Sequence, residues 1–293
     1  MSESLVGIGA AILATISWSL APIAIRHGIR DDTDLISVTG VRALIAFLIL
    51  LPLTASRIEE YSLTNYDLFL IVIAGILIGV SDVFYMKAIK RLGSWKAILI
   101  AYQYILIAQV LAYLLLGEVR GIYATFFTPL ALLGIYIALK GNSNGDRNAA
   151  INILIAYMPA VLWGVATVIS RYLTYSVDAV VIASLRSLSI AIIFTSIGFK
   201  RLITFTALGR RSFIYVLASG FFTHVGGFLV FLYALKFIGT FISTLVNSIG
   251  PLITQLLSRK LSGEELNRRH IIGALITTGS VALTLALSAL ILI

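Results

Sequence analysis

Long apolar stretches alternate with short polar segments along the whole chain. Windows of about 19 residues with few charged side chains define ten such stretches, at 5–26, 35–55, 67–90, 93–116, 121–140, 149–173, 178–199, 212–236, 239–258 and 270–292. Each is close to the roughly 20 residues that a helix needs to cross the hydrocarbon core of a bilayer. The pattern predicts an all-α integral membrane protein with ten transmembrane helices joined by short connections.

The longest polar linker separates the fifth stretch from the sixth. It runs from Gly141 to Asn148 and contains only Gly, Asn, Ser, Asp and Arg, a composition typical of loops. Five stretches precede the linker and five follow it. The predicted organisation is a first five-helix repeat at 1–140, a central linker at 141–148 and a second five-helix repeat at 149–293.

Similar residues recur in the same order in the two halves, which indicates an internal duplication. The matches, at separations of 144 to 146 residues, are Trp18 with Trp163, Arg26 with Arg171, Arg42 with Arg186, Ala88-Ile89-Lys90 with Ala234-Leu235-Lys236, Gly93 with Gly239, Gln109 with Gln255 and Gly117-Glu118 with Gly263-Glu264. Because five is an odd number, the second copy is expected to enter the membrane from the opposite side. Inverted repeats of this kind are typical of secondary transporters that alternate access around a site at the middle of the membrane.

Composition agrees with a membrane protein and excludes several kinds of chemistry. Hydrophobic residues make up 59% of the chain and charged residues 12%, about half the charged fraction of a soluble domain. The chain has no cysteine, so disulfides, thiol catalysis and cysteine-bound metal are excluded. Its net charge of +9 lies in short loops, which favours the lipid bilayer as partner over nucleic acid. We expect a multi-pass protein of the cell membrane that retains its first apolar stretch.

The order of these motifs resembles a known family. The residues that carry the resemblance are Trp18, Arg42, Ala234-Leu235-Lys236, Gly239, Ser243, Asn247, Pro251 and Gly263-Glu264. Together with the ten stretches and the central linker, they resemble the EamA-type branch of the drug/metabolite transporter superfamily over essentially the whole chain. The resemblance implies a ten-helix exporter or exchanger of small metabolites. The first copy departs from the pattern, because Ile105 stands at the position matching Pro251 and the tract Tyr102-Gln103-Tyr104 is bulky.

The orientation in the membrane is predicted differently by charge and by resemblance. Loops on the side of the termini carry four Lys and Arg residues, and loops on the other side carry sixteen. The positive-inside rule therefore predicts that the termini lie outside, whereas the resemblance implies cytoplasmic termini. We favour the charge count, because it is a property of this chain.

Two ionisable residues lie deep within apolar stretches and are candidate functional groups. Asp82 is fifteen residues into the third stretch and His224 twelve residues into the eighth, and such groups are unfavourable against lipid. At a separation of 146 residues, Asp82 matches Phe228, which lies one turn after His224. The two groups are predicted to face one cavity, as a proton-coupling or substrate-binding site. In the alternative, Asp82 pairs with Arg42 or Lys87 and His224 bonds a carbonyl, to fix helix packing.

Arg42 and Arg186 lie about two turns, or roughly 10 Å, inside the second and seventh stretches. Arginine keeps its charge in proteins, so each needs an anionic partner, a cage of carbonyls or a path to the interface. Their equivalence in the two repeats favours a structural charge pair. Capture of a substrate carboxylate or phosphate by the arginine fork is the alternative.

Aromatic and uncharged polar residues complete the predicted site. Trp18 and Trp163 lie at mid-span positions, away from the interfaces where tryptophan usually collects, and are expected to form an aromatic wall. The polar side chains expected to line the same cavity are Tyr85, Tyr102, Gln103, Tyr157, Ser243 and Asn247. Gly250 and Pro251 are predicted to form a hinge, because proline bends a helix. The cavity is expected to be lined by stretches one, three, four, six, eight and nine.

No motif for a metal, a cofactor or catalysis is present, so none is expected. The tract Gly79-Val80-Ser81-Asp82 superficially resembles the serine context of an intramembrane protease, which would require Ser81 to contact His224. The preferred function is a secondary transporter of small organic metabolites such as amino acids, an exporter or exchanger. The sequence is compatible with a monomer and with proton-coupled transport. The alternatives are a transporter of nucleotide sugars or lipid-linked substrates, and a receptor or scaffold that does not transport.

Overall fold

The computed structural model describes residues 2–57, 63–119, 124–139, 149–199, 209–265 and 267–290. Within these ranges the chain is helical and contains no strand. The helices are α1 Ser2–Gly28, α2 Leu35–Ala55, α3 Asn65–Leu92, α4 Ser94–Ala101, α5 Tyr104–Leu116, α6 Ala124–Leu139, α7 Ala149–Leu173, α8 Ala179–Gly198, α9 Arg210–Gly220, α10 Val230–Asn247, α11 Gly250–Ser262 and α12 Arg268–Leu290. A π-helix, Phe221–Leu229, joins α9 to α10. The central linker lies outside the described residues.

Seven helical stretches in the described part of the chain are long and apolar enough to cross a membrane, and an eighth apolar helix, Pro129–Ala138, is shorter. The seven are Glu3–Gly28, Leu35–Ala55, Asn65–Leu92, Ser94–Leu116, Ala150–Leu173, Ala179–Gly198 and Arg210–Asn247. The other predicted stretches correspond to α6, to the end of α10 with α11, and to α12. The chain is therefore a multi-pass membrane protein, and the number of ten spans stays a prediction.

Helix starts and ends repeat between the two halves. Asp34 caps α2 by accepting a hydrogen bond from the Ser37 N–H, and Asp178 caps α8 in the same way from the Val180 N–H. Among the described residues, the glycines with positive φ are Gly93 at 89°, Gly117 at 69°, Gly239 at 71° and Gly263 at 64°. They form two pairs at the separation of 146 residues. At these positions the two halves therefore have equivalent backbone structure.

The fourth and ninth stretches are each broken in the middle. The first break lies at Tyr102 and Gln103, between α4 and α5, and the second at Ser248 and Ile249, between α10 and α11. The hinge predicted at Gly250 and Pro251 stays a prediction, and the structure places these two residues directly after the second break. Pro251 lies in the first turn of α11, where its missing N–H leaves no hydrogen bond unmade, and the break precedes it. The first copy breaks at the matching place without a proline, since Ile105 stands at the position that matches Pro251.

Helices of one repeat pack against their counterparts in the other. Helix α2 packs on α8, and α6 packs on α12. Helix α1 packs on α9, the π-helix and α10, while its counterpart α7 packs on α3. Helix α1 of the first repeat also packs on α11 of the second repeat. In the equivalent way, α7 of the second repeat packs on α4 and α5 of the first. The space enclosed by these helices therefore lies between the repeats.

We predict that Gly239→Ala destabilises the protein through the backbone alone. Gly239 has φ 71° and ψ 175°, a region essentially reserved for glycine, where another residue costs about 1–3 kcal/mol. A methyl group there would meet only Arg171 Nη2, at 3.6 Å, so packing does not oppose it. The unfolding temperature in detergent is therefore expected to fall.

Gly9→Ala is the matched control for that experiment. Gly9 lies within α1, and in the described part of the chain no atom outside its own helix backbone and chain neighbours lies within 4 Å of the place that a methyl group would take. Alanine is a better helix former than glycine by about 0.5–1 kcal/mol, so this variant is expected to be neutral or stabilised. Equal unfolding temperatures for Gly239→Ala and wild type would contradict the assigned backbone.

Candidate substrate-binding cavity

A cavity of about 80 Å³ lies between the two repeats. The candidate functional side chains that line it are Trp18 on α1, Arg42 on α2, Asp82 and Tyr85 on α3, Tyr102 and Tyr104 at the break between α4 and α5, Trp163, Thr167 and Ser170 on α7, Arg186 on α8, and Thr223 and Phe228 on the π-helix. Most of the remaining lining is apolar, from residues such as Ile25, Ile78 and Phe231. The cavity is therefore an amphipathic site built from both halves of the chain.

Arg42 and Asp82 form an ion pair at the edge of this cavity. Arg42 Nη1 donates to Asp82 Oδ2 at 3.0 Å, and the side chains are 5% and 3% exposed. Arg42 Nη2 donates to the Thr223 hydroxyl at 2.6 Å. The pair lies within the first repeat and the hydroxyl belongs to the second, so Arg42 joins the two repeats beside the cavity.

Arg186 occupies the equivalent place in the second repeat but contacts different groups. Its Cζ lies 3.1 Å from the centre of the Phe228 ring, a cation–π contact. Its Nη2 lies 3.4 Å from Nδ1 of His224, a long distance for a hydrogen bond. Asp82 is close enough to interact with Arg186 electrostatically. One carboxylate therefore serves two buried guanidinium groups.

His224 lies between Arg186 and Asp82 and is fully buried. Its Nε2 lies 3.7 Å from Asp82 Oδ2, beyond hydrogen-bond distance. Arg186 can only donate, so in their contact Nδ1 of His224 is the acceptor and a neutral imidazole carries its proton on Nε2. The ring thus connects the unpaired arginine to the carboxylate of the ion pair.

The π-helix from Phe221 to Leu229 positions His224 and Phe228. Such wide turns are rare and occur frequently at functional sites. The carbonyl of Thr223 accepts a hydrogen bond from the indole Nε1 of Trp18 at 3.0 Å. Gly227 lets the indole approach, because a methyl group at that position would collide with it. Trp18 therefore packs directly on the segment that carries His224.

Aromatic rings form the wall of the cavity on the other side. The ring of Trp163 lies 5.0 Å from that of Tyr85 and 6.0 Å from that of Tyr104, edge to face in both cases. Tyr102 packs on Tyr104 at 5.5 Å. The hydroxyls of Tyr85 and Tyr102 are buried and have no hydrogen-bond partner among the described residues. They are free to bind a polar group in the cavity.

Several predicted lining residues lie elsewhere. Ser243 donates to the carbonyl of Gly239 at 2.7 Å, and Asn247 bonds Thr15 and the hydroxyl of Tyr104 behind the wall. Gln103 and Tyr157 line a separate groove of about 250 Å³. The expectation that these four line the cavity is wrong, because none of them is among its lining residues. The ninth stretch contributes none of the described lining.

Other lining residues were not predicted from the sequence. Arg42 and Arg186 line the cavity, so the second and seventh stretches also contribute to it, in addition to the stretches that were expected to do so. Tyr104, Thr223 and Phe228 also line the cavity, and only Phe228 had a signal, its match with Asp82 in the repeat. A threonine or phenylalanine in an apolar stretch does not stand out from packing residues.

Two equivalent ion pairs connect the repeats away from the cavity. Arg26 lies 3.0 Å from Glu264, and Arg171 lies 3.0 Å from Glu118. Glu264 also accepts from the N–H of Ser94 at 2.9 Å, and Glu118 accepts from the hydroxyl of Thr240 at 3.2 Å. Each glutamate thus holds the start of a helical segment of the opposite repeat. The arginines match at 145 residues and the glutamates at 146.

The geometry of a serine hydrolase is not formed in the described part of the chain. The hydroxyl of Ser81 donates to the carbonyl of Ile78 at 2.8 Å. His224 Nε2 has no hydrogen-bond partner there. Ser81 and His224 are therefore not arranged as nucleophile and base.

Comparison with known proteins gives the class of this molecule. The sequence model of the EamA-like transporter family matches residues 5–140 and 150–286, as two copies. The chain belongs to the EamA-like transporter family, a family of membrane transporters of small molecules. No curated protein matches the sequence significantly.

A solved structure supports the fold. One crystal structure, whose description names no function, aligns with this chain with a TM-score of 0.66. The alignment covers 99% of this chain and 98% of the chain in that crystal structure. The two sequences are 18% identical, so the likeness extends to the fold and not to a substrate.

We predict unequal losses of stability when the two members of the ion pair are removed. Asp82→Asn leaves two buried guanidinium groups without a carboxylate, and loss of one partner from a buried pair costs about 3–5 kcal/mol. Arg42→Met leaves Asp82 next to Arg186, so its effect is expected to be smaller. The measurement is the free energy of unfolding in mixed micelles, by titration with a denaturing detergent. An equal or larger loss for Arg42→Met would contradict the sharing of Asp82.

Proposed function

We propose that this protein is a secondary transporter, an exporter or exchanger, of small organic metabolites such as amino acids. The observation that carries the proposal is the cavity between the repeats, with Asp82, two arginines and seven aromatic side chains at its border. Charged groups within a membrane are usually kept for function. Membership of the family supports transport as the use of this cavity.

The proposed architecture is ten membrane-spanning helices in two inverted five-helix repeats, in the cell membrane. The main contacts that helices of the first repeat make with the second repeat each have an equivalent in which the repeats change places, and the same holds for the two ion pairs. This symmetry supports the arrangement. In inverted repeats, equivalent positions lie at opposite membrane faces. The Arg26–Glu264 and Arg171–Glu118 pairs would then close the two opposite entrances, and alternating access would open one pair at a time.

Asp82 is the proposed proton-coupling group, with His224 as its neighbour. A carboxylate can take up a proton, whereas Arg42 and Arg186 keep their charge. Protonation of Asp82 would remove its attraction for Arg42, which also holds Thr223 of the other repeat. A proton on Asp82 would therefore loosen a contact between the repeats.

The cavity favours a small substrate over a larger one. Sites for drug-sized ligands are about 300–1,000 Å³, whereas this cavity measures about 80 Å³. Arg42 and Arg186 both line the cavity, as binding of a nucleotide sugar or a lipid-linked substrate would require. The volume, however, suits a molecule of only a few carbon atoms. The receptor or scaffold alternative is disfavoured, because Trp18, Asp82 and Trp163 border open space.

Transport in proteoliposomes is the direct test. We expect uptake or counterflow of a labelled amino acid or similar metabolite, faster with a pH gradient than without one. Asp82→Asn is expected to abolish the response to the gradient. Absence of transport across a broad metabolite panel would contradict the proposed function.

Asp67→Asn is the matched control for that assay. Asp67 lies on the same helix as Asp82, but it serves the capping box at the start of α3 and does not line the cavity. The variant is expected to keep the response to the gradient. A response that survives in Asp82→Asn would contradict the assignment of the proton to Asp82.

Cross-linking tests the two proposed entrances. The chain has no cysteine, so pairs can be introduced directly, as Arg26→Cys with Glu264→Cys and as Arg171→Cys with Glu118→Cys. A short cleavable bifunctional thiol reagent on either pair is expected to stop transport, and cleavage is expected to restore it. The four single-cysteine variants are the controls. Transport that continues with either pair linked would show that this entrance need not open.

A further inference from the structure

The symmetry of the cavity is broken at one pair of equivalent positions. Arg42 and Arg186 match between the repeats, and so do Asp82 and Phe228. In the first repeat the arginine pairs with the carboxylate at 3.0 Å. In the second repeat the arginine lies over the phenyl ring, 3.1 Å from its centre. The second repeat thus keeps the cation of the pair and lacks the anion.

Arg186 has no carboxylate of its own. Among the described residues, no carboxylate oxygen lies within 4.0 Å of its guanidinium nitrogens, and the nearby Asp82 forms its ion pair with Arg42. The Nε of Arg186 has no hydrogen-bond partner in this part of the chain, and the residue is only 2% exposed. A cation–π contact is worth about 2 kcal/mol when desolvated, less than the several kcal/mol needed to bury a charge. The site is therefore incomplete without an added anion.

The guanidinium group of Arg186 borders the cavity. Phe228 covers one face of it, and a planar fork can still bind two oxygens of a carboxylate along its edge. Apolar and aromatic side chains form most of the remaining lining, which suits a hydrocarbon body. The charge of Arg186 limits the bound molecule to one acidic group, because a single carboxylate balances the positive charge of one arginine. A phosphate ester, with nearly two negative charges at pH 7, would exceed it.

We infer that Arg186 binds the carboxylate of the transported molecule, which supplies the anion that the second repeat lacks. The substrate class is a small monocarboxylate with an apolar body. Organic acids and amino acids share this group. The inference rests on the proposed function, since the ligand is taken to be the substrate of transport.

Binding to the purified protein tests this inference without transport. The probes are aliphatic monocarboxylates from acetate to isovalerate, the amide of each acid, and leucine, and the readout is the rise in unfolding temperature with concentration. Acids are expected to stabilise the wild type and amides are not. Arg186→Gln is expected to weaken binding about 10- to 100-fold, the loss typical of a charged hydrogen bond. Leucine separates the sources: stabilisation by leucine includes amino acids, and stabilisation by the acids alone restricts the class to organic acids.

Arg57→Gln is the control for the loss of an arginine. Arg57 is 40% exposed and pairs with Asp178 away from the cavity. It is expected to leave binding of the acids unchanged. Equal stabilisation by acids and amides, or equal binding by wild type and Arg186→Gln, would overturn the inference.

Restoring the missing carboxylate tests the same idea without a ligand. Phe228→Asp gives the second repeat the pair that Arg42 and Asp82 form in the first, and Phe228→Asn is its uncharged match. Phe228→Asp is expected to have the higher unfolding temperature of the two and to lose the response to acids. Equal unfolding temperatures, together with an unchanged response to acids, would overturn the inference.

Binding and transport results separate the two proposals. If acids bind through Arg186 but no metabolite crosses the membrane, the transport proposal fails and the carboxylate site stands. If metabolites are transported but neither Arg186→Gln nor Phe228→Asp changes the recognition of acids, the carboxylate site fails and the transport proposal stands.

Discussion

The buried ion pair between Arg42 and Asp82 is the contact on which the cavity depends. Two guanidinium groups would repel each other in a region of low polarity, and Asp82 is the carboxylate that holds them together. Arg42 also bonds Thr223 across the boundary between the repeats. A change in the charge of Asp82 therefore acts on both the cavity and the way in which the halves fit together.

Duplication explains most of the architecture, and its exceptions locate the site. Paired glycines, helix breaks and ion pairs recur at separations of 145 or 146 residues, so both copies share most of their backbone plan. The charged centre does not follow this plan, because Phe228 stands opposite Asp82. Substrate sites of inverted-repeat transporters lie at the interface between the repeats, which is where this asymmetry is found. The asymmetry thus favours recognition over packing as the role of Arg186.

Sequence reasoning predicted the membrane fold, the repeat and the central charges, because each has a strong physical signal. A helix that crosses lipid needs a long apolar run, and Asp82 or Arg186 inside such a run has few stable environments. The π-helix around His224 and the breaks beside Gln103 and Asn247 had no such signal, since backbone irregularity depends on packing between helices. For that reason, polar residues near the breaks were placed in the cavity wrongly, while Thr223 and Tyr104 were overlooked.

The most direct test of a central site with alternating access is labelling of one cysteine placed in the cavity. Thr167 on α7 lines the cavity. Because the natural chain has no cysteine, the variant Thr167→Cys carries a single thiol at this place. In membrane vesicles of both orientations, a membrane-impermeant thiol reagent is expected to label this cysteine from either face, and a bound substrate is expected to slow both reactions. Labelling from one face only, or from neither, would contradict a site that opens in turn to the two sides.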